Sequence, residues 1–449
     1  RVQVMLRVNK LTETEWKVVQ LLDFGDLIGV DGEFGKTRTG EPTIQATKLT
    51  FLTKSLEPHP KDTSGMSDEE YRLRHRYLDM IYTPDTLRRA QQRVKIIRTI
   101  RNHLDNLGYL EVETPTLHAV AGGAAARPFV THHNTLGLDL FVRIALELPL
   151  KKLLVGGLEK VYEIGRVFRN EGVSKKHNPE FTMLELYAAY GDLFSIMELT
   201  EGLIVALVDA VGPAAEVEVE EEYEEKGEKM TRTVRKRAYD LFGERHLPFG
   251  DRVVNFSPPF LRMQYADLMR EHAGCDMLDK AAVRQAATAA KLKLEMRDEK
   301  TGAVTAKEHD VLVHELFEHT VEPALAKLDR PVFVYDYPAA LCPLTKRKRE
   351  NPALAERFEL YVFGMELANA YTELNDPITQ EQTFAQQLAG MAEEDSMAKM
   401  DHDFIRALRH GMPPAGGLGI GIDRLVMLLT NTQTIRDVIL FPLLRPEAK

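Results

Sequence analysis

Two stretches of the chain, residues 161–170 and 180–187, alternate polar and apolar side chains with a period of two. They are separated by Glu171-Gly172-Val173-Ser174-Lys175-Lys176-His177-Asn178-Pro179. Such alternation fits strands with one buried face, and a slip of a single residue would turn every side chain over. The pair therefore commits the chain to antiparallel sheet with two unlike faces. On the first strand Tyr162, Ile164 and Phe168 share one side and Glu163 and Arg169 the other; on the second, Phe181, Glu185 and Tyr187 lie opposite Thr182, Leu184 and Leu186. An arginine, an aromatic ring and a carboxylate are thus expected on one surface. That set suits a nucleotide with a cationic companion: the guanidinium neutralises a phosphate, the ring stacks on a base, and the carboxylate is left for a cation. An amphipathic hairpin with an exposed polar face is the alternative on these residues alone.

The flanking segments define the fold class. Residues 85–107 place Val94, Ile97, Ile100, Leu104 and Leu107 at three- and four-residue spacing before Gly108, which predicts a helix feeding the alternating stretch 109–114 and stopping at Pro115. Strands then mix with helices such as 194–211, so residues 81–449 are expected to form an α+β domain, antiparallel sheet flanked by helices. An insertion near 216–250 carries acidic residues with Val217 and Val219 alternating, then basic residues at 232–237; a charge-paired hairpin about Gly227 is expected. Residues 1–57 read as strands at 2–8, 26–34 and 43–52 around a helix at 12–22, with Trp16, Val19 and Leu22 on one face. They fit either a partial OB-type β-barrel lacking its first strands or an isolated hairpin with one helix. Residues 58–80, with Pro58, Pro60 and Gly65, are the expected linker.

Composition excludes several classes. A net charge of −10 over 449 residues argues against a protein that coats nucleic acid by bulk attraction. The longest apolar run, residues 203–208, falls far short of the ~18 residues of a membrane helix, so no membrane partner is expected. Cys275 and Cys342 cannot build a disulfide framework or a cysteine zinc site, which fits a reducing, cytoplasmic compartment. The first residue is Arg1 instead of methionine, so a natural start is expected upstream. The basic run Lys346-Arg347-Lys348-Arg349 reads either as a phosphate-binding or nuclear-import segment or as a solvated loop.

Two further clusters carry chemistry. Asn369, Tyr371 and Glu373 lie at spacing two, and Glu359 and Glu366 flank a turn containing Gly364. Two carboxylates without nearby His or Cys suit a hard ion such as Mg²⁺, which bridges carboxylates and nucleotide phosphates; unpaired surface glutamates are the alternative. In Gly416-Gly417-Leu418-Gly419-Ile420-Gly421-Ile422-Asp423-Arg424 the glycines alternate outside any βαβ unit, so the stretch is not a dinucleotide fingerprint. Small residues there allow close approach of a ligand or a helix, and Arg424 at the next helix start can face a phosphate. His314 and His319 stand about 140° apart on a helix and cannot chelate one zinc as an i, i+4 pair does. The sequence has no Gly-x-Ser-x-Gly elbow, which disfavours an esterase-like hydrolase.

Three separated segments resemble motifs one, two and three of class II aminoacyl-tRNA synthetases, in order. They are Gly108-Tyr109-Leu110-Glu111-Val112-Glu113-Thr114-Pro115; Phe168-Arg169-Asn170-Glu171-Gly172 with His177-Asn178-Pro179-Glu180-Phe181; and Gly419-Ile420-Gly421-Ile422-Asp423-Arg424. Within that class the chain resembles bacterial-type lysyl-tRNA synthetases almost throughout. The narrower likeness rests on Ala121-Gly122-Gly123-Ala124-Ala125-Ala126-Arg127-Pro128-Phe129, Thr131-His132-His133-Asn134 and Ala368-Asn369-Ala370-Tyr371-Thr372-Glu373-Leu374-Asn375.

The resemblance implies ATP-dependent activation of L-lysine to lysyl-adenylate, transfer to the 3′ end of tRNA(Lys), an OB-type anticodon-binding domain at 1–57, and a homodimer joined through motif one. By the same resemblance Arg169 and Arg424 are the catalytic cations. Arg169 holds the ATP α-phosphate, Phe181 and Arg424 sandwich the adenine, and Glu171 and His177 join the nucleotide contacts. Gly123 and Glu147 meet the lysine α-ammonium, Asn369 lies near its carboxylate, Glu185, Tyr187, Tyr371 and Glu373 form the side-chain pocket, and Glu359 and Glu366 bind Mg²⁺. Where the family usually reads Ala-Pro-Glu-Leu-Tyr, this chain has Ala145-Leu146-Glu147-Leu148-Pro149, and Pro149 is expected to disturb the backbone beside Glu147. Two paralogous functions compete. A protein-lysine ligase resembles the catalytic domain alone, whereas residues 1–56 extend the likeness here. A non-catalytic tRNA-binding paralogue is expected to have lost Arg169, Arg424, Glu359 or Glu366, and all four are present. An aspartate or asparagine synthetase shares the architecture, but an aspartate enzyme calls for a cationic pocket.

Overall fold

Alternation in residues 161–170 and 180–187 resolves into neighbouring antiparallel strands, Lys160–Phe168 and Glu180–Ala189, with Tyr162 opposite Leu186 and Glu163 opposite Glu185. The structure, a computed structural model, describes residues 2–57, 59, 66–124, 126–225, 228–297, 304–388 and 400–446. Two compact units divide the chain, Arg1–Thr83 and Pro84–Lys449.

The first unit holds an open three-stranded sheet in the order Gln3–Met5, Pro42–Thr53, Leu27–Lys36; the first pair is parallel and the second antiparallel. The helix read at 12–22 spans only Glu13–Val19. Thr12 and Glu15 form a reciprocal cap at its start, and Glu15 also accepts the Leu49 amide at 3.0 Å, tying the helix to the longest strand. These hydrogen bonds, from Thr12 first, hold the Glu15 carboxyl down at about 2. Within the stretch read as linker, residues 69–74 and 76–82 are helical, while Pro58, Pro60 and Gly65 lie outside the described residues.

The second unit is built on an eight-stranded sheet in the order Leu261–Gln264, Val332–Pro338, Leu354–Val362, Met365–Thr372, Ala415–Gly421, Glu180–Ala189, Lys160–Phe168, Leu110–Glu111. The expected antiparallel pairing holds for the interior, but both outer pairs are parallel, so the sheet is mixed. Parallel neighbours need a long crossover, and long helix-bearing connections separate both pairs. The stretch 109–114 forms ladder only at Leu110–Glu111. Beyond it the Glu163 carboxylate takes the Thr114 amide at 3.1 Å and hydroxyl at 2.7 Å, replacing a strand partner.

Helices Pro84–Asn106 and Leu193–Val211 cover one face of the sheet. Ile96, Ile100, Leu104, Ile204 and Leu207 pack there with Tyr162, Leu184, Leu186, Leu418 and Ile420. Proline suits the first helical position because its missing amide would have no partner there, and Gly108 follows at φ +79°. Gly416 faces helix Leu193–Val211 so closely that a Cβ would stand 2.5 Å from Ile196 Cγ1. Gly416→Ala should therefore lower stability by about 1–3 kcal/mol, measured by urea unfolding. The insertion is the expected hairpin, Glu216–Glu225 against Glu228–Arg237, with Arg232 on Glu221 at 2.8 Å and Arg235 on Glu218 at 2.9 Å; its turn at Gly227 lies outside the described residues.

Candidate active site

The sheet face opposite these helices carries two adjoining cavities, both within the second unit. One, of about 190 Å³, is lined by Arg169, Glu171, His177, Phe181, Glu366 and Arg424, among others. The other, of about 360 Å³, is lined by Gly123, Glu147, Glu185, Tyr187 and Tyr371, among others. Arg169, Met183, Asn369 and Gly419 belong to both. Alternation explains this grouping: with Leu184 and Leu186 committed to the helix-covered core, Phe181, Met183, Glu185 and Tyr187 must face the other way. Glycines floor the site. A Cβ on Gly417 would collide with Glu373 Oε1 at 2.0 Å and Tyr187 Cε1 at 2.6 Å.

The smaller cavity brings Arg169, Lys176 and Arg424 together with the carboxylates Glu171, Glu366 and Asp423. Arg169 stacks its guanidinium 5.2 Å from the centroid of the Phe181 ring and donates weakly to the Ile144 carbonyl at 3.4 Å. Among the described residues it has no carboxylate within ion-pair distance. Burial, only partly offset by Glu171, Glu185 and Glu366, depresses its pKa, as expected of a buried cation that lacks an anion. Arg424, the third residue of helix Ile422–Leu429, donates to the Glu366 carbonyl at 2.9 Å and to His177 Nε2 at 3.0 Å. A guanidinium only donates, so His177 Nε2 accepts, and Nδ1–H points to Ser174 Oγ at 2.8 Å. Burial and then Arg424 lower the His177 pKa, which keeps the ring neutral.

The larger cavity is acidic. Glu185 is buried, accepting the Leu146 amide at 3.0 Å and the Tyr187 hydroxyl at 3.1 Å. Burial first, then the charge of Glu147, push its pKa up to about 7. Glu147 accepts the Tyr371 hydroxyl at 2.8 Å. It begins helix Glu147–Val155, so Pro149 occupies the first turn, where the lost amide has no intrahelical partner; the expected disturbance does not arise. Gly123 sits at φ +87°, and a Cβ there would press on Ala145 at 3.1 Å and Glu147 at 3.6 Å. Glu373 is placed differently from its neighbours. It is fully buried and does not line the cavity, because its carboxylate meets Lys151 behind the floor.

Glu359 and Glu366 lie on strands joined by a tight turn with Phe363 at φ +50° and Gly364 at φ +68°. Burial first and then the charge of Glu359 push the Glu366 pKa up. Glu359 is also held by the Tyr337 hydroxyl at 2.9 Å, the Tyr361 hydroxyl at 2.5 Å and the Arg357 guanidinium. Among the described residues no third His, Cys, Asp or Glu completes a metal cage. Two hard carboxylates that repel each other fit a divalent ion whose remaining ligands are phosphate oxygens and water.

Two participants escaped the sequence reading. Arg357 precedes Glu359 by two residues, so alternation alone puts both on one face. Lys151 follows Glu147 by one helical turn among Leu148, Leu150 and Leu154, a spacing that marks a buried i, i+4 pair.

Comparison with known proteins gives the family. The family described as tRNA synthetases class II (D, K and N) matches residues 68–445. The chain is 46% identical over 449 residues to a lysine-tRNA ligase of Moorella thermoacetica, covering 100% of this chain and 84% of that protein. It is 45% identical over 447 residues to lysine-tRNA ligases of Bacillus thuringiensis and Bacillus anthracis, covering 99% of this chain and 82% of each relative.

Proposed function

The chain belongs to the class II tRNA synthetases of the D, K and N group, and from that membership we infer its reaction: it activates L-lysine with ATP to lysyl-adenylate and transfers the lysyl group to the 3′ end of tRNA(Lys). The observation that carries the reading is Arg169, which has no carboxylate within ion-pair distance among the described residues and stands where the two cavities meet. ATP fits the first cavity and lysine the second, with the lysine carboxylate and the α-phosphate meeting at Arg169. The likeness spans the whole chain, residues 1–83 included, and so does not support a protein-lysine ligase built on the catalytic domain alone.

The chemistry needs no protein nucleophile. The lysine carboxylate is ionised at neutral pH and attacks the α-phosphorus once held in line; the bond to pyrophosphate breaks as the mixed anhydride forms. Arg169 and Arg424 stabilise charge developing on the phosphoryl oxygens, and Phe181 offers its ring to the adenine alongside Arg424. Glu171 and neutral His177 complete the nucleotide contacts. Gly123 and Glu147 receive the α-ammonium, Asn369 lies beside the carboxylate, and Glu185, Tyr187 and Tyr371 make the far end of the cavity suitable for an ammonium, with Glu373 adding its carboxylate from below the floor. Glu359 and Glu366 would hold Mg²⁺, which supplies charge neutralisation on the phosphates when bound. In the second step the terminal ribose hydroxyl of the tRNA takes the lysyl group and AMP leaves.

A buried ammonium requires carboxylates, which favours lysine over aspartate, while one methylene is worth only about 1–3 kcal/mol; shorter diamino acids should be rejected least well. ATP-pyrophosphate exchange against each amino acid in turn tests the reading, with exchange expected to be fastest for lysine. Faster exchange with any other amino acid overturns it. The raised Glu185 pKa adds a pH dependence. Below about 7 this carboxyl is protonated and loses its attraction for an ammonium, so the KM for lysine should fall as pH rises from 6 to 8 while the KM for ATP changes little.

We further propose a homodimer. Leu110 at the sheet edge, Leu117 and Val130 are exposed apolar side chains in and after motif one, which supports a partner there. Light scattering under assay conditions should give twice the chain mass. In this reading residues 1–57 belong to an OB-type anticodon-reading domain, 58–80 are the linker and 81–449 the catalytic domain. Two buried free cysteines, Cys275 and Cys342, support a reducing, cytoplasmic setting. Among the described residues no helix is long and apolar enough to cross a membrane.

A further inference from the structure

Lys151 is a fully buried cation that the mechanism above leaves unused. Helix Glu147–Val155 carries it one turn after Glu147, and its Nζ lies 2.5 Å from Glu147 Oε1 and in contact with Glu373 Oε2. The rings of Tyr187 and Tyr371 stand 5.9 and 5.6 Å from the same nitrogen. Glu373 Oε1, fully buried, accepts no hydrogen bond among the described residues. Glu147, Glu185 and Glu373 thus crowd three carboxylates around one floor, with Lys151 as the internal counter-charge. Arg169 and Arg357 are the cations lining this cavity, and Asp401 and the buried thiol of Cys342 stand on its wall as well. Helix His402–Arg409 contributes apolar Phe404 and Leu408 to the packing here, and its Asp403 pairs with Lys152 instead.

We propose that Lys151 is a positioning residue for substrate selection: clamped between Glu147 and Glu373, it holds both side chains in place and offsets the repulsion around the floor, so that the cavity retains the negative charge that a diamino acid requires. This rests on the lysine reading of the cavity. Without Lys151 the repulsion around the floor is relieved by proton uptake at Glu185 and Glu373, to which burial already inclines both, and attraction for the substrate is lost. Burial opposes charge on Lys151, but Glu147 and Glu373 hold its pKa above the ordinary value; burial pushes Glu373 up and Lys151 pulls it back.

The test measures the KM for lysine from pH 6 to 9.5 by pyrophosphate exchange. In Lys151→Met the midpoint of the acid limb should move up by about 1–3 pH units, with the KM for ATP unchanged. Lys151→Arg keeps the charge and should keep the midpoint even where its larger head group raises the KM throughout. The double variant Lys151→Met with Glu373→Gln removes both ends of the pair, should fold even where the single variant does not, and should restore the midpoint. A pH-independent loss in Lys151→Met, or a double variant still shifted upward, overturns the proposal. Lack of lysine-dependent exchange in the unaltered protein would instead refute the underlying reading.

Discussion

Arg169→Ala should lower lysine-dependent ATP-pyrophosphate exchange by about 10²- to 10³-fold in kcat while leaving the thermal unfolding midpoint nearly unchanged. The two expectations share one cause. In the folded protein this guanidinium contacts the Phe181 ring and, weakly, the Ile144 carbonyl, and among the described residues no carboxylate pairs with it. Its removal leaves no orphaned buried charge, so stability changes little. In the reaction the same guanidinium faces the phosphoryl oxygens as charge develops on them, so the loss falls on the transition state. Arg169→Lys should recover only part of the rate, because an ammonium cannot span two oxygens with the planar fork of an arginine. Exchange close to wild type in Arg169→Ala would remove the residue from the reacting centre and with it the placement of ATP.

Asp423→Ala should destabilise the protein by about 3–5 kcal/mol, read from urea unfolding, and should abolish exchange at temperatures where the wild type is active. Asp423 Oδ1 accepts from Arg93 at 2.5 Å and Oδ2 from the Thr182 amide at 2.7 Å. The carboxylate is 2% exposed and the Arg93 side chain 11%, so neither charge is relieved by water once its partner is gone. Arg93 also donates to Thr182 Oγ1 at 3.1 Å, so the cluster joins helix Pro84–Asn106, strand Glu180–Ala189 and the start of helix Ile422–Leu429, where Arg424 is the next residue. Arg93→Met combined with Asp423→Asn should recover most of the loss: the buried charge is gone, and the asparagine oxygen still accepts the Thr182 amide. A loss below about 1 kcal/mol in Asp423→Ala would mean that the pair behaves as a solvated surface bridge.

Much of the site was legible because β-alternation is a strict rule. Placing Leu184 and Leu186 inward forces Phe181, Glu185 and Tyr187 outward, and the same logic sends Asn369 and Tyr371 to the shared face. Glu373 obeys the rule in direction and departs from it in depth. It lies just beyond strand Met365–Thr372, and Gly417 lets its carboxylate sink below the floor toward Lys151. Likewise the parallel outer strands were not legible, since pairing direction at a sheet edge depends on how a long connection folds back.

Local periodicity and backbone chemistry were enough to tell which residues share a face, where the long helices 84–106 and 193–211 run, and which three segments supply arginines and carboxylates, but not the helices at 69–74 and 76–82. Which charges are paired followed from the packing of distant segments: among the described residues Arg169 has no carboxylate within ion-pair distance, Glu359 is held by Arg357 and two tyrosines, and Lys151 is clamped between two glutamates. The physical reason is range. Ionisation depends on burial and on neighbours a few ångströms away, and those neighbours come from strands and helices far apart in the chain.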